Sequence, residues 1–164
     1  LDSLLPSSKI QSGIAFESYL YGVVATLEHD HESAERFYVE SLQSDPVAGF
    51  WNHYRLAFTY QKLQRLDEAF IHYGTCIGLQ PKFAWPKFNL GLVCLKANHL
   101  KLSETYITQA IRTDPQFGAA YVALMAVYIK QGKPQEAIRV FETAKSLGIE
   151  SAELDANLKI ANKL

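Results

Sequence analysis

Apolar residues recur at intervals of three and four along most of the chain, which is the pattern of amphipathic helices. The clearest pair of such segments occupies residues 50–62 and 67–79, with a three-residue connection at 63–65. Pro81 follows the second segment and predicts its end, because proline lacks an amide donor and clashes with the preceding turn. The pattern therefore predicts a helix–turn–helix unit over residues 50–83.

This unit recurs along the chain with a period of about 34 residues. Pro46, Pro81 and Pro115 are spaced by 35 and 34 residues. The same register holds in a leucine column (Leu56, Leu90, Leu124), a column of small residues (Ala34, Ala69, Ser103, Ala137) and a column of large apolar residues (Tyr38, Tyr73, Ile107, Phe141). The register predicts a head segment at 1–14, four repeats at 15–49, 50–83, 84–117 and 118–151, and a capping helix at 152–164.

A 34-residue helix–turn–helix unit repeated in register resembles the tetratricopeptide repeat. The resemblance implies an all-α fold in which antiparallel helix pairs stack into a right-handed superhelical solenoid. Two features depart from the family pattern. The usual tryptophan column holds Ser18, His53, Lys87 and Tyr121. Met125 stands where a small residue is usual, which predicts a splayed helix pair in the fourth repeat.

The two ends of the array differ in polarity. In the C-terminal helix, Leu154 and Leu158 are expected to face inward, as a cap requires. The helix predicted at 14–27 is apolar nearly all round, so something should cover it. The sequence leaves three candidates for what covers this helix. They are the head-segment residues Leu4, Leu5 and Ile10, a missing upstream repeat, or another copy of the chain. The first residue is Leu1 rather than Met, so we expect a processed product or an excised piece.

Composition narrows the classes of partner. Sixteen basic and 17 acidic residues give a net charge of -1 with neutral histidines, and the pI is about 6.6. This balance argues against nucleic acid as a partner. No run of apolar residues approaches the roughly 18 that a membrane span needs. We therefore expect neither nucleic-acid binding nor a membrane-spanning segment.

The sequence contains no motif that predicts catalysis. It has no glycine-rich phosphate loop, no His-Glu-x-x-His and no Cys-x-x-Cys. His29 and His31 lie on a predicted turn and are interpreted as solvated polar residues rather than metal ligands. Cys76 and Cys94 occupy packing columns, so we expect two buried, unpaired thiols and an intracellular, weakly cytoplasmic setting. The prediction is a protein that is not an enzyme and that has no cofactor and no metal.

The resemblance also implies which residues face a concave groove, since the first helix of each repeat lines that surface in the family. The partner-binding positions implied in this chain are Tyr19, Trp51, Tyr54, Arg55, Phe58, Lys62, Trp85, Phe88, Asn89, Leu92, Lys96 and Lys130. Large aromatic side chains dominate the energetics of many interfaces. The alternative is that Trp51 and Trp85 are displaced packing residues.

Family members that bind chaperone tails ending in Glu-Glu-Val-Asp use a clamp of lysine, asparagine and arginine side chains on three successive inner helices. Only Asn89 matches that pattern here, so the carboxylate clamp is absent. The main hypothesis is an interaction scaffold that binds a partner peptide or helix with apolar anchors in the groove. Two alternatives remain: homo-oligomerisation through residues 14–27, and an interaction or regulatory arm of a larger enzyme.

Overall fold

The structure, a computed structural model, describes residues 7–45 and 49–164, and within these ranges the chain forms nine α-helices and no strand. The helices are α1 (Ser7–Leu27), α2 (His31–Ser44), α3 (Gly49–Lys62), α4 (Leu66–Leu79), α5 (Ala84–Lys96), α6 (Leu100–Thr113), α7 (Gly118–Lys130), α8 (Pro134–Ser146) and α9 (Ala152–Ala161). The all-α prediction is confirmed, and α3 and α4 lie within a residue of the predicted segments. Pro46 of the repeat frame lies outside the described residues.

The chain divides into two compact halves, Leu1–Gln80 and Pro81–Leu164. In the N-terminal half, α1 packs on α2, α2 on α3, and α3 on α4. Gly22 permits the close approach of α1 and α2, since a Cβ there would lie 2.6 Å from the Tyr38 ring. A buried relay also ties this half together: Asn52 donates to Ser41 at 2.7 Å, and Ser41 donates to the carbonyl of Ala15 at 2.6 Å.

In the C-terminal half, α5 packs on α6, α6 on α7 and α7 on α8, and α9 covers both α7 and α8. Gly91 permits the close approach of α5 and α6, as Gly22 does for α1 and α2, because a Cβ at Gly91 would lie 2.5 Å from Ile107 Cγ1. Met125 is fully buried, together with Tyr121 and Leu154 of α9. Among the pairs that form one repeat, α7–α8 packs less extensively than α1–α2, α3–α4 or α5–α6, which agrees with the predicted effect of Met125.

The turn inside each repeat has the same backbone geometry. One residue adopts a positive φ in every case: His29 (61°), Gln64 (63°), Asn98 (61°) and Gly132 (69°). Glycine suits this left-handed conformation because it has no Cβ. Gly132 directly follows the C-cap of α7, and Pro134 is the first residue of α8.

Two residues of the tryptophan column have a structural role in the C-terminal half. The Lys87 ammonium donates to the carbonyl of Pro81 and, at 2.7 Å, to the hydroxyl of Thr113. Tyr121 donates to the carbonyl of Pro115 at 3.1 Å. Each side chain therefore ties an inner helix to the proline-containing turn six residues before it, and burial lowers the pKa of Lys87.

The ends of the chain differ in part from the sequence predictions. Helix α1 begins at Ser7, well before residue 14, and the predicted covering residues Leu4 and Leu5, with the side chain of Ile10, lie outside the described residues. Helix α9 confirms the cap, with Leu154 1% exposed and Leu158 packed against the core. Asn157 of α9 donates to the carbonyl of Val122 at 3.1 Å and so ties the cap to α7.

Candidate partner-binding surfaces

The inner helices of the N-terminal half, α1 and α3, line an aromatic cavity of about 400 Å³. Its lining residues are Ser12, Ala15, Phe16, Tyr19, Ser41, Asp45, Gly49, Phe50, Trp51 and Asn52. Phe16 and Trp51 remain 63% and 55% exposed. Exposed aromatic side chains beside a cavity are typical of a binding surface.

Aromatic contacts hold the α3 side of this cavity in place. The Trp51 ring meets Phe50 edge-on at 5.0 Å and Tyr54 at 6.0 Å, measured between ring centroids. Tyr54 stacks on Phe50 at 5.9 Å and meets Tyr73 of α4 at 5.7 Å. Tyr19 contacts the buried ring of Tyr38 at 5.8 Å. A wall fixed in this way loses little side-chain entropy when a ligand binds.

Two polar groups of α3 lack hydrogen-bond partners among the described residues. They are the Nε of Arg55 and the Oδ1 of Asn52, and both atoms are buried, although the Arg55 side chain as a whole is partly exposed. The Asn52 amide orientation follows from its relay, since the Ser41 hydroxyl proton goes to a carbonyl and its oxygen must accept from Nδ2. Farther along α3, the Lys62 ammonium lies 5.0 Å from the Phe58 ring centroid. The partly exposed guanidinium of Arg55 is a cation, which favours an anionic group in a ligand.

The C-terminal half contains a separate apolar trough of about 610 Å³. Helices α5 and α7 and the start of α9 line it through Phe88, Leu92, Leu95, Gly118, Ala119, Val122, Ala123, Ala126, Ile149, Glu150, Ser151 and Glu153. The α7 side is built mainly from glycine and alanine, whereas the α5 side carries larger apolar side chains. We call this surface the C-terminal trough.

The α5 residues of the predicted groove differ in depth. Phe88 and Asn89 are 8% and 9% exposed, so both belong largely to the interior. Trp85 is 47% exposed, and its ring lies 4.6 Å from that of Phe117 and 6.1 Å from that of Phe88. Trp85 is therefore the α5 aromatic residue that a partner could reach most readily.

Charged residues mark the two ends of the C-terminal trough. Lys96 and Lys130, the last residues of α5 and α7, are exposed. They follow the lining residues Leu92 and Ala126 by four positions and so share their helix faces. Glu150 and Glu153 lie at the opposite end, where Gly118 begins α7. The sequence pattern did not predict these glutamates, because the α8–α9 connection and the start of α9 lie outside the inner-helix columns.

The sequence pattern also did not predict a histidine pair in the N-terminal half. The Nδ1 atoms of His53 on α3 and His72 on α4 lie 2.8 Å apart. Burial lowers the pKa of both residues, and burial together with the neighbouring His53 lowers that of His72 to about 4. The Tyr60 ring centroid lies 5.5 Å from that of His72. The repeat register could have revealed this pair, since it sets α3 beside α4.

The remaining candidates for chemistry lie apart or are buried. The His29 and His31 rings are 6.4 Å apart, and no set of three or more metal-ligating side chains clusters within the described residues. Cys76 and Cys94 are buried and unpaired, as predicted, and burial raises the pKa of both thiols, that of Cys76 to about 12. No helix within 7–45 and 49–164 combines the length and apolar character of a membrane span.

Sequence comparison links the second repeat to a known family. Residues 52–83 match the family model for the tetratricopeptide repeat. A 54-residue segment is 39% identical to the DnaJ homolog subfamily C member 7 homolog of Dictyostelium discoideum. That segment is 33% of this chain and 10% of the relative, so the chain spans only a small part of it.

Solved structures share the fold over most of the chain. The crystal structure of MamA protein gives a TM-score of 0.82 at 19% identity, covering 92% of this chain and 81% of that one. A tetratricopeptide repeat protein from Parabacteroides merdae gives 0.84 at 15% identity, covering 92% and 60%. YrrB, described as a TPR protein with an unusual peptide-binding site, gives 0.79 at 16% identity, covering 92% and 75%.

These matches agree with the register of the helices and with the shared geometry of the turns within the repeats. Residues 52–83 form a tetratricopeptide repeat, and the nine described helices have the fold of tandem tetratricopeptide repeats followed by a capping helix.

Proposed function

We propose that this protein is a non-enzymatic interaction scaffold that binds a segment of a partner protein along its inner helices. The observation that carries the proposal is the exposure of two tryptophans, Trp51 on α3 and Trp85 on α5, at 55% and 47%. Tryptophan is enriched among the residues that dominate interface energetics. A large apolar surface left in water is typical of a binding site.

The surroundings of the tryptophans define the chemistry of the partner. Aromatic and apolar walls in both halves favour bulky apolar anchors. The cationic side chain of Arg55, which is partly exposed on α3, favours an acidic side chain next to such an anchor. YrrB, which has a similar fold and is described as having a peptide-binding site, supports a peptide ligand. Two buried, unpaired thiols agree with a reducing compartment.

A peptide-display selection on the whole chain tests the proposal. The probe is a phage library of random 16-residue peptides, selected on the wild-type protein and then measured against Trp51→Ala/Trp85→Ala. We expect enriched peptides to carry apolar and acidic residues and to lose at least about tenfold in affinity on the double variant. Ile71→Ala/Leu102→Ala is the matched control, because those side chains are 62% and 45% exposed on the second helices α4 and α6.

The selection can contradict the proposal in two ways. Peptides that bind both double variants with the wild-type affinity would show that neither tryptophan contributes to a binding site. Equal losses on the two variants would point to a general effect of apolar truncation. Circular dichroism of each variant checks that its helical content is unchanged.

Self-association is the second candidate function, and the exposure of α1 favours it. Phe16, Leu20, Val24 and Leu27 recur at helical spacing on α1 and are 45–74% exposed. Ile14 and Tyr21 extend the apolar surface, at 47% and 51% exposure. Contiguous exposed apolar surface of this kind marks association sites.

A further inference from the structure

We propose that the C-terminal trough binds one amphipathic helix of about twelve residues that has a basic end and an acidic end. This inference rests on the proposed scaffold function and adds the conformation and the charge order of the ligand. The trough lies entirely within Pro81–Leu164. Its shape, its hydrogen-bonding capacity and its end charges each favour this ligand.

The shape of the trough suits a helix. Ala119, Ala123 and Ala126 lie at i, i+4 and i+7 along α7, so small side chains form one continuous stripe. Small residues allow the backbone of a second helix to approach closely. Phe88 and Leu92 of α5 rise on the other side and can pack between the apolar side chains of the ligand. This arrangement is the helix-in-groove mode of recognition.

Hydrogen bonding favours a helical ligand over an extended one. Among the described lining residues, the polar side chains are Glu150, Ser151 and Glu153, all at one end. The Ser151 hydroxyl already accepts from the amide of Leu154 at 3.1 Å. An extended segment would bury peptide groups over the apolar stripe without partners, which is costly. A helix satisfies most of its peptide groups internally.

The end charges set the order of charges in the ligand. Glu150 and Glu153 line one end, beside the start of α7, and Lys130 ends α7 at the other. Helix α7 has 13 residues, so these ends are about 18 Å apart at a rise of about 1.5 Å per residue. A helix of about twelve residues has the same length. Its basic end would lie by the glutamates and its acidic end by Lys96 and Lys130.

Fluorescence anisotropy with designed peptides tests the inference on the whole chain. The probes are stapled 14-residue helices with leucines at i, i+4 and i+7 and with one of three end patterns: basic and acidic, both acidic, or both basic. A fourth probe carries the mixed charges with two prolines and no staple, which prevents a helix. We expect the mixed helix to bind at least about fivefold more tightly than each of the other three.

Charge reversal in the protein supplies the matched comparison. In Lys96→Glu/Lys130→Glu, both ends of the trough are acidic, so the helix with two basic ends should become the tightest ligand. Lys101→Glu/Lys159→Glu changes the net charge equally at exposed sites outside the trough and should preserve the wild-type order. An unchanged order in the first variant, or the same change in both, would overturn the charge assignment.

Substitution of the trough separates failure of the inference from failure of the scaffold proposal. Ala119→Glu places a charge on the exposed part of the stripe and should abolish binding, whereas Ala156→Glu on α9 should not. If Ala119→Glu weakens the binding of all helical probes but the three charge patterns bind the wild-type protein equally, a helix binds in the trough and the charge order is wrong. If the proline probe binds as well as the mixed helix, the helical ligand is wrong. If no probe depends on Ala119, the trough ligand is wrong, whereas the scaffold proposal fails only if the peptide selection also shows no dependence on the tryptophans. Loss of self-association in Ala119→Glu would make a second copy the occupant and would overturn the inference.

Discussion

At the residue scale, one column of the repeat controls how closely the helices of a pair approach. Gly22, Ala57, Gly91 and Met125 occupy the same position in the four repeats. At Gly91, an added Cβ would lie 2.5 Å from Ile107 Cγ1 and 3.2 Å from the backbone nitrogen of the same residue. The backbone atom cannot move aside without shifting α6, so a methyl group here crowds the α5–α6 contact.

We expect Gly91→Ala to lower the free energy of unfolding by about 1–2 kcal/mol, because overpacking outweighs the better helix propensity of alanine. Gly74→Ala is the matched control, since Gly74 lies inside α4 with nothing within 4 Å of an added Cβ. That change should instead raise stability by about 0.5–1 kcal/mol. Urea unfolding followed by circular dichroism measures both, and a stabilised Gly91→Ala would show that α5 and α6 can separate at no cost.

The residue scale also shows why some features could be predicted from the sequence. The ends of α3 and α4 follow from apolar spacing and from Pro81, which are local signals. The depth of Phe88 could not be predicted, because the family pattern gives the helix face and not the packing of Phe117 against its ring at 4.8 Å. The trough glutamates were missed because Glu150 lies in a loop and Glu153 lies in the first turn of α9, so neither belongs to the columns of the inner helices.

At the scale of the element, the α3–α4 pair contains a polar contact that depends on pH. The 2.8 Å separation of His53 and His72 Nδ1 atoms requires that one nitrogen donates and the other accepts. Protonation of both rings would place two cations in contact. The carboxylate of Glu68 raises the pKa of His72, but burial and the neighbouring His53 lower it by more. The net result is a pKa of about 4. Glu68 is itself held by Arg65 at 2.8 Å.

The pKa values fix the direction of the pH dependence. An unfolded histidine has a pKa of about 6.5, so between pH 6.5 and about 4 the unfolded chain binds more protons than the folded one. The contribution of the pair is therefore complete above pH 6.5 and is lost as the pH falls towards 4. We expect a loss on the order of 2–3 kcal/mol across this range, measured from urea unfolding at several pH values.

Two variants identify the source of this pH dependence. His53→Phe/His72→Phe keeps two rings in the contact, removes the titration and should flatten the profile between pH 6.5 and 4.5. His99→Gln removes a histidine from an exposed position and should leave the wild-type slope. A wild-type stability that stays constant over this range would contradict the prediction, as would an equal slope in the double phenylalanine variant.

At the scale of the whole molecule, the exposed surface of the first helix determines whether the chain self-associates. Helix α1 buries Ala15, Ser18 and Ala25 but leaves an apolar surface of Phe16, Leu20, Val24 and Leu27 on its exposed side. A repeat array normally ends on a polar surface, which α9 provides through Glu153, Asp155 and Lys159. A second copy would cover α1 and remove this asymmetry.

We therefore expect the mass from light scattering to rise with concentration from 18.5 kDa towards twice that value. Leu20→Glu/Val24→Glu places two charges on the exposed side of α1 and should hold the mass at 18.5 kDa, with helical content unchanged. Ile71→Glu/Leu102→Glu is the control, because it makes the same chemical change at exposed positions of α4 and α6 and should associate as the wild type does.

A wild-type mass that is independent of concentration would exclude self-association through α1 and leave its apolar surface to a partner protein. If the control also stays monomeric, the effect of Leu20→Glu/Val24→Glu is not specific to α1 and does not support an interface there, because added charge at other exposed sites has the same effect.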